Sequence, residues 1–251
     1  MDESDSYTIE VENLSKRLGR TQALSALSLQ FEPGLMHGII GPEGAGKTTL
    51  MRCILRLLHP DTGEIRILQG PDQSALSLRE MREKITYMPQ QASLYADLSV
   101  DEHLSFFRRL YQVSLSDFQV RREELLQITQ LLPFVDRAAG VLSGGMYKKL
   151  GLICALLRSP KILLLDEPTN GVDPISRREF WDLLYRLLDQ RILILVSTAY
   201  MDEAERCSKV HLLDRGHLID AGEPRALLDK HGTRDFDALF LKRSVQGQAH
   251  D

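Results

Sequence analysis

Gly41-Pro42-Glu43-Gly44-Ala45-Gly46-Lys47-Thr48 is the stretch on which the fold turns. It satisfies the Walker A pattern GxxxxGK[ST]. Before it lies a short apolar run, Leu35 to Ile40, and after it Thr49 to Leu58 carry apolar residues at helical spacing. Strand, glycine-rich loop and helix in that order are the context the pattern requires. The glycines let successive N–H groups point inward, the helix start adds about half a unit of positive charge, and Lys47 adds a full one for terminal phosphates. The Thr48 hydroxyl is a candidate magnesium ligand. A glycine-rich turn that binds nothing is the competing reading, and it leaves all four fixed positions to coincidence. A nucleotide is therefore expected here.

Upstream of this loop the chain alternates like strands. Tyr7, Ile9 and Val11 face one way and Thr8, Glu10 and Glu12 the other, and Leu27, Leu29 and Phe31 repeat the pattern. A half-buried antiparallel start follows, turned at Pro33-Gly34. Downstream, Pro60-Asp61-Thr62-Gly63 is a turn, and Glu64 to Leu68 and Lys84 to Met88 read as strands. From Gln91 to Ser159 the character is helical. Ser99 and Glu102 form a capping box opening Val100 to Tyr111, and a second helix is expected over Asp117 to Leu132. Ile162 to Leu165 and Ile192 to Val196 are continuous apolar runs suited to parallel strands buried on both faces, with a helix over Ser176 to Asp189 between them. Val210 to Leu213 and Leu218 to Asp220, joined at Arg215-Gly216-His217, predict a last strand pair before a polar tail. The fold class is α/β.

Composition narrows the function. Of 251 residues 43% are hydrophobic and 26% charged, which excludes disorder and collagen-like repeats. Lys plus Arg number 31 against 35 Asp plus Glu, a net charge of -4, so no basic excess exists to bind nucleic acid. No apolar stretch approaches the roughly 20 residues that span a bilayer, and no cleavable signal pattern follows Met1; an intracellular, soluble chain is expected. Cys53, Cys154 and Cys207 are scattered and odd in number, which predicts buried reduced thiols rather than disulfides or a zinc site.

Ile162 to Leu165 run directly into Asp166 and Glu167. A buried strand holds Asp166 rigidly as a magnesium ligand, direct or through water. Glu167, one position on, is placed to orient or deprotonate an attacking water. This is a Walker B arrangement, and it favours hydrolysis over binding alone.

Leu142-Ser143-Gly144-Gly145-Met146 precedes a helical run to about Arg158, shortly before the Asp166 strand. Ser143 offers a hydroxyl, and Gly144 and Gly145 offer open N–H groups at a helix start. With the Walker motifs, this spacing resembles the ATP-binding cassette (ABC) family, whose signature is Leu-Ser-Gly-Gly-Gln. Met in the last place resembles drug, multicopper or polysaccharide exporters. The resemblance covers nearly the whole chain. It implies one cassette over 1–251: a RecA-like P-loop NTPase core with an antiparallel β subdomain (1–91 and 160–251), and a helical signature subdomain (92–159). It implies ATP and Mg²⁺, with ATP held by Gly41 to Thr48, Thr49 and Gln90, the metal by Thr48, Gln90 and Asp166, and catalysis by Glu167. Gln90 matches the Q-loop glutamine, Gly171-Val172-Asp173 the D-loop that crosses to a second cassette, and Asp235 to Leu241 the closing helix of the exporter subgroup. Two cassettes pair head to tail in the family, each ATP lying between one Walker A and the other's signature. The resemblance also implies a separate integral membrane subunit and a place on the cytoplasmic face of the membrane. The coupling helix of that subunit would dock on Ala92 to Tyr111, where Leu94, Tyr95, Leu98 and Phe106 are either its apolar anchors or core.

Three positions depart from the family. Ala199 stands where the switch histidine contacts the γ-phosphate, so slow or absent turnover is expected in this chain's own site. Leu18 stands where an aromatic ring usually lies under adenine, with Arg17 or Arg20 as candidate substitutes. Glu43 replaces a more usual Asn. A pairing with a different cassette that keeps its histidine is favoured over a homodimer. The runner-up is a soluble cassette ATPase with a regulatory or nucleic-acid-linked role, which would carry two cassettes or a long coiled coil. A P-loop kinase would have no need of Leu142 to Gly145.

Overall fold

The computed structural model describes residues 6–91 and 94–247. They form two compact units, one containing residues up to Leu76 and from Leu193 onward, the other Ser77–Ile192. The alternation of the opening residues becomes a hairpin of β1 (Tyr7–Leu18) and β2 (Thr21–Phe31), paired antiparallel with Ile9 opposite Phe31 and Val11 opposite Leu29. The buried face is Tyr7, Ile9, Val11, Leu27, Leu29 and Phe31, as the pattern requires. The register slips between Val11 and Leu14, where Asn13 has φ 47°. Hydroxyls cover the break: Ser28 Oγ accepts from Asn13 N at 3.1 Å, and Ser15 Oγ from Ala26 N at 2.9 Å.

β3 (Met36–Ile40) is wholly buried and leads through the glycine-rich loop into α1 (Lys47–Ile54). The helix starts two residues before the expected Thr49 and ends four before Leu58, because Arg56 turns to φ 57° and leaves the helical path. β4 (Thr62–Gln69) pairs antiparallel with β1, and the short β5 (Ser74–Ala75) pairs with β4.

The second unit opens with α2 (Leu78–Lys84), a helix the sequence reading passes over although Ser77 and Glu80 make a full capping box. β6 (Ile85–Met88) follows. α3 (Val100–Leu110) is capped by Ser99 and Glu102 as expected. α4 (Leu115–Ile128) starts after the Ser114 cap, two residues before the expected Asp117, and α5 (Gly144–Leu156) starts after the Ser143 cap. β7 (Ile162–Asp166) lies parallel to β6, with Ile162 beside Ile85 and Leu165 beside Met88. α6 (Pro174–Leu188) closes the unit, its Trp181 fully buried.

β8 (Leu193–Thr198) returns the chain to the first unit and runs parallel to β3, which is flanked on its other edge by β9 (Lys209–Asp214), also parallel. β10 (His217–Gly222) forms the expected antiparallel pair with β9. The expected polar tail is instead largely helical. α7 (Pro224–His231) buries Leu227 and Leu228, and α8 (Phe236–Gly247), which covers the expected closing helix, buries Phe236 and Leu239. Two core histidines lie on neighbouring strands. His37 Nε2 donates to the carbonyl of Glu32 at 3.1 Å, so its Nδ1 accepts from His211 Nε2 at 3.2 Å, and His211 Nδ1 is buried with no partner. Cys53, Cys154 and Cys207 are free and buried. Among the described residues no helix is long and apolar enough to cross a membrane.

Candidate functional site

The phosphate loop is shaped by close backbone approach. A Cβ on Gly41 would sit 2.2 Å from the carbonyl oxygen of Leu213, and one on Gly46 would sit 2.5 Å from that of Ala23. Gly46 has φ 102° and Gly44 φ 78°, a region that only glycine enters without strain. The loop is tied to its neighbours through the main chain, Gly41 N donating to Thr198 O and Gly216 N to Ala45 O. Lys47 is 4% exposed, and its ammonium donates to the carbonyls of Gly41 at 2.8 Å and Pro42 at 3.0 Å. No side chain caps α1 and its first turn holds no acid, so the positive helix start and the lysine act in the same direction. Ala45 and Thr49 are buried, Pro42 and Thr48 half-buried, and Glu43 and Gly44 exposed at the crest.

Of the departing positions in this unit, Ala199 is exposed immediately after β8, whose Thr198 Oγ1 accepts from Tyr200 N at 3.0 Å. Leu18 is 43% exposed at the end of β1. Arg17 is not loose beside it. Its N–H donates to Asp61 Oδ2 at 2.6 Å and its Nε to Gln22 Oε1 at 3.4 Å.

The acidic pair and the signature belong to the second unit. Asp166 ends a fully buried strand and is 1% exposed, and the Tyr87 hydroxyl donates to its Oδ2 at 3.0 Å. Glu167 is 8% exposed and sits at φ 45°, a left-handed conformation that costs a non-glycine residue on the order of 1–3 kcal/mol. Its carbonyl accepts from Asn170 N, and its Oε2 accepts from Gln90 Nε2 at 2.8 Å and Asn170 Nδ2 at 3.2 Å. The structure thus brings Gln90 onto Glu167, and the glutamine's nitrogen is used there while its oxygen keeps its acceptor capacity. Lys148 Nζ donates to the Gln90 carbonyl at 2.8 Å. Burial pushes its ammonium below the ordinary lysine range, opposed by the charges of Glu167 and Asp166.

Ser143 caps α5, its Oγ accepting from Met146 N at 3.3 Å. Ser143 and Gly144 are exposed, Leu142 and Met146 half-buried, and Gly145 is buried against Ser176, whose Cβ and Oγ would lie 2.5 Å from an added Cβ. Asp173 is exposed and caps α6, its Oδ1 accepting from Ile175 N at 3.1 Å and Ser176 N at 3.0 Å. The Ser176 N–H, followed by the Ser176 hydroxyl, holds its carboxyl below the usual range. Sequence reasoning did not single out Tyr87, Tyr147, Lys148 or Asn170. Tyr87 is visible as the residue between Thr86 and Met88 on a strand leading to Gln90, and Lys148 as a cation two residues beyond the signature.

Comparison with known proteins bears on this arrangement. Residues 24–170 match the family model described as ABC transporter. The chain is 45% identical over 215 residues to the "Probable multidrug ABC transporter ATP-binding protein YbhF" of Escherichia coli, covering 85% of this chain and 37% of that protein. It thus spans about a third of that relative's length. It is 37% identical over 222 residues to the "Nod factor export ATP-binding protein I" of Burkholderia lata, covering 88% of this chain and 72% of that one. Among solved structures, one described as "Structure of ATP binding subunit of ABC transporter" superposes with a TM-score of 0.80 at 27% identity, covering 93% of this chain and 98% of that one. The fold is that of these cassettes, and the chain belongs to the ABC transporter family.

Proposed function

We propose that this chain is the ATP-binding subunit of an export-type transporter, coupling ATP binding and hydrolysis to transport through a separate integral membrane subunit. The observation that carries the reading is the phosphate loop, with a buried Lys47 fixed by two loop carbonyls at the uncapped start of α1. The relatives' names, multidrug transport and Nod factor export, support export as the direction.

In this reading Gly41 to Thr49 and Gln90 bind ATP, and Lys47 meets the β- and γ-phosphates. Thr48, Gln90 and Asp166 supply the all-oxygen donor set that magnesium prefers. When bound, the ion neutralises charge on the phosphate oxygens. Glu167 accepts the proton of the attacking water, held in place by Gln90 and Asn170, while Tyr87 orients Asp166. Leu142, Ser143, Gly144, Gly145 and Met146 cover the nucleotide of a second cassette, and Asp173 holds the loop that crosses to it. Ala199 offers neither a hydrogen bond to Glu167 nor a contact to transferred phosphate, so this chain's own site turns over slowly. A different cassette that keeps its histidine is the favoured partner, and the membrane subunit holds the pair on the cytoplasmic face.

Calorimetry with Mg-ATP tests the core of this reading. Wild type binds, and Lys47→Ala weakens binding by about 100-fold, the scale of a lost charged hydrogen-bonding group. Absence of binding by the wild-type chain overturns the reading. In hydrolysis assays with and without the membrane complex, Ala199→His raises kcat by about 100-fold. No gain in an already active assembly removes the weakened site from the account.

A further inference from the structure

Two consecutive residues on the second turn of α5 grip the chain around Gln90. Lys148 Nζ donates to the Gln90 carbonyl at 2.8 Å, and the Tyr147 hydroxyl accepts from Leu94 N at 3.3 Å. Gln90 in turn donates its side-chain amide to Glu167 Oε2 at 2.8 Å. An open cleft lined by Gln90, Gln91, Tyr147, Lys148, Asn170 and Gly171 lies over these contacts. The contact path is continuous from the helix start to the carboxylate: Ser143 caps α5, Lys148 follows five residues later, about 7.5 Å along the axis, and the lysine holds the main chain of the residue that holds Glu167.

We propose that Lys148 is a positioning residue for the Gln90–Glu167 pair and that Tyr147 is its second anchor, so that α5 ties the signature end of this chain to its own hydrolytic carboxylate. The inference rests on the reading of Glu167 and the signature given above. An ammonium is suited to the task because it donates to a main-chain carbonyl without an acceptor of its own to compete for the Gln90 amide. A displacement of α5 by whatever meets Ser143 to Gly145 moves Lys148 with it, and hence the glutamine main chain. Coupling of this kind runs through packed, hydrogen-bonded neighbours within one rigid element.

The test combines nucleotide measurements with a readout that needs no nucleotide, on the full chain. Single-turnover hydrolysis and Mg-ATP calorimetry are compared for wild type, Lys148→Met, Lys148→Arg and Tyr147→Phe. In parallel, the side-chain amide resonance of Gln90 is followed by NMR in protein carrying labelled glutamine. Lys148→Met is expected to slow hydrolysis about tenfold or more while ATP affinity stays within about twofold. Lys148→Arg restores the rate, and Tyr147→Phe gives a smaller loss of the same kind. The Gln90 amide resonance shifts in Lys148→Met and in Glu167→Gln, and returns in Lys148→Arg. A Gln90 resonance unmoved by Lys148→Met overturns the proposal, whether or not the chain hydrolyses ATP, as does a parallel loss of affinity and rate. A chain that binds no Mg-ATP but shows the resonance shifts overturns the functional reading and leaves the clamp standing.

Discussion

α1 and α5 both begin at a glycine-rich turn, yet they are built by opposite means. At α1 the cap residue is Gly46 at φ 102°, no side chain caps the helix, and main-chain atoms of Ala23 and Leu213 press on the loop glycines. At α5 the cap is a serine hydroxyl, and Gly144 would meet only the Gly171 carbonyl, at an ordinary 3.7 Å, if it carried a Cβ. One helix start is fixed by backbone sterics and the other by side-chain hydrogen bonds. A loop fixed by its backbone is formed before a ligand arrives and tolerates almost no substitution at its glycines. A start fixed by side chains is graded, and each group removed costs about one hydrogen bond.

The largest expected effect separates these two constructions. Gly46→Ala forces a Cβ into the Ala23 carbonyl at 2.5 Å and an L-residue into a left-handed conformation, a combined cost of about 3 kcal/mol. Gly144→Ala meets neither problem and stays within about 0.5 kcal/mol of wild type. Urea unfolding midpoints, at unchanged slope, measure both. Equal losses in the two variants would erase the contrast.

Acid distinguishes the two regions next. The strand leading into the phosphate loop carries His37, hydrogen-bonded to His211 and surrounded by Phe31, Glu32 and Lys209. Burial, with His37 and Lys209 adding to it, pushes His211 down to about 3 from its ordinary value of 6.5. Above pH 6.5 the imidazole is neutral folded or unfolded, and the stability of this arrangement is complete. Below pH 6.5 the unfolded chain takes up a proton that the folded one refuses, so stability falls steadily towards pH 3. Between pH 7.5 and pH 5 the loss from His211 is about 2 kcal/mol. Burial also lowers His37, which acts in the same direction. Urea midpoints at the two pH values are expected to lie closer together in His211→Leu than in wild type. Parallel shifts would show that the histidine pair is not the source. The α5 start depends on a hydroxyl, which does not titrate in this range.

The difference in construction also explains what could be read in advance. Period-2 alternation at Tyr7 to Val11, the runs Leu35 to Ile40 and Ile162 to Leu165, and the Ser99–Glu102 box are local signals, and each became the expected element. The Walker A glycines were legible because backbone sterics at α1 leave a fixed spacing in the chain. Lys148 was not, because its role depends on a contact across the 58 positions that separate it from Gln90, and Asn170, although only three residues from Glu167, turns back onto that carboxylate in an irregular loop that no periodic pattern marks. α7 was missed because its apolar content is small, Leu227 and Leu228 in a charged stretch, and its burial is decided by tertiary packing. The histidine pair joins residues 174 positions apart, and neither strand pattern marks it.

The smallest effect is the most discriminating for the α5 start. Ser143→Ala removes one hydroxyl acceptor for Met146 N, and the ordinary cost of losing such a cap is about 1 kcal/mol, or roughly 2–4 °C in Tm for a chain of this size. Ser143→Gly should cost only a few tenths, since glycine leaves the N–H groups open to water. ATP binding by the isolated chain is expected to be unchanged in both if, as proposed above, Ser143 serves the nucleotide of a second cassette. A loss of 3 kcal/mol or more in Ser143→Ala would mean that the α5 start is held as rigidly as the α1 start. Weakened ATP binding in the isolated chain would mean that the signature acts on its own nucleotide, and would overturn the proposed head-to-tail pairing.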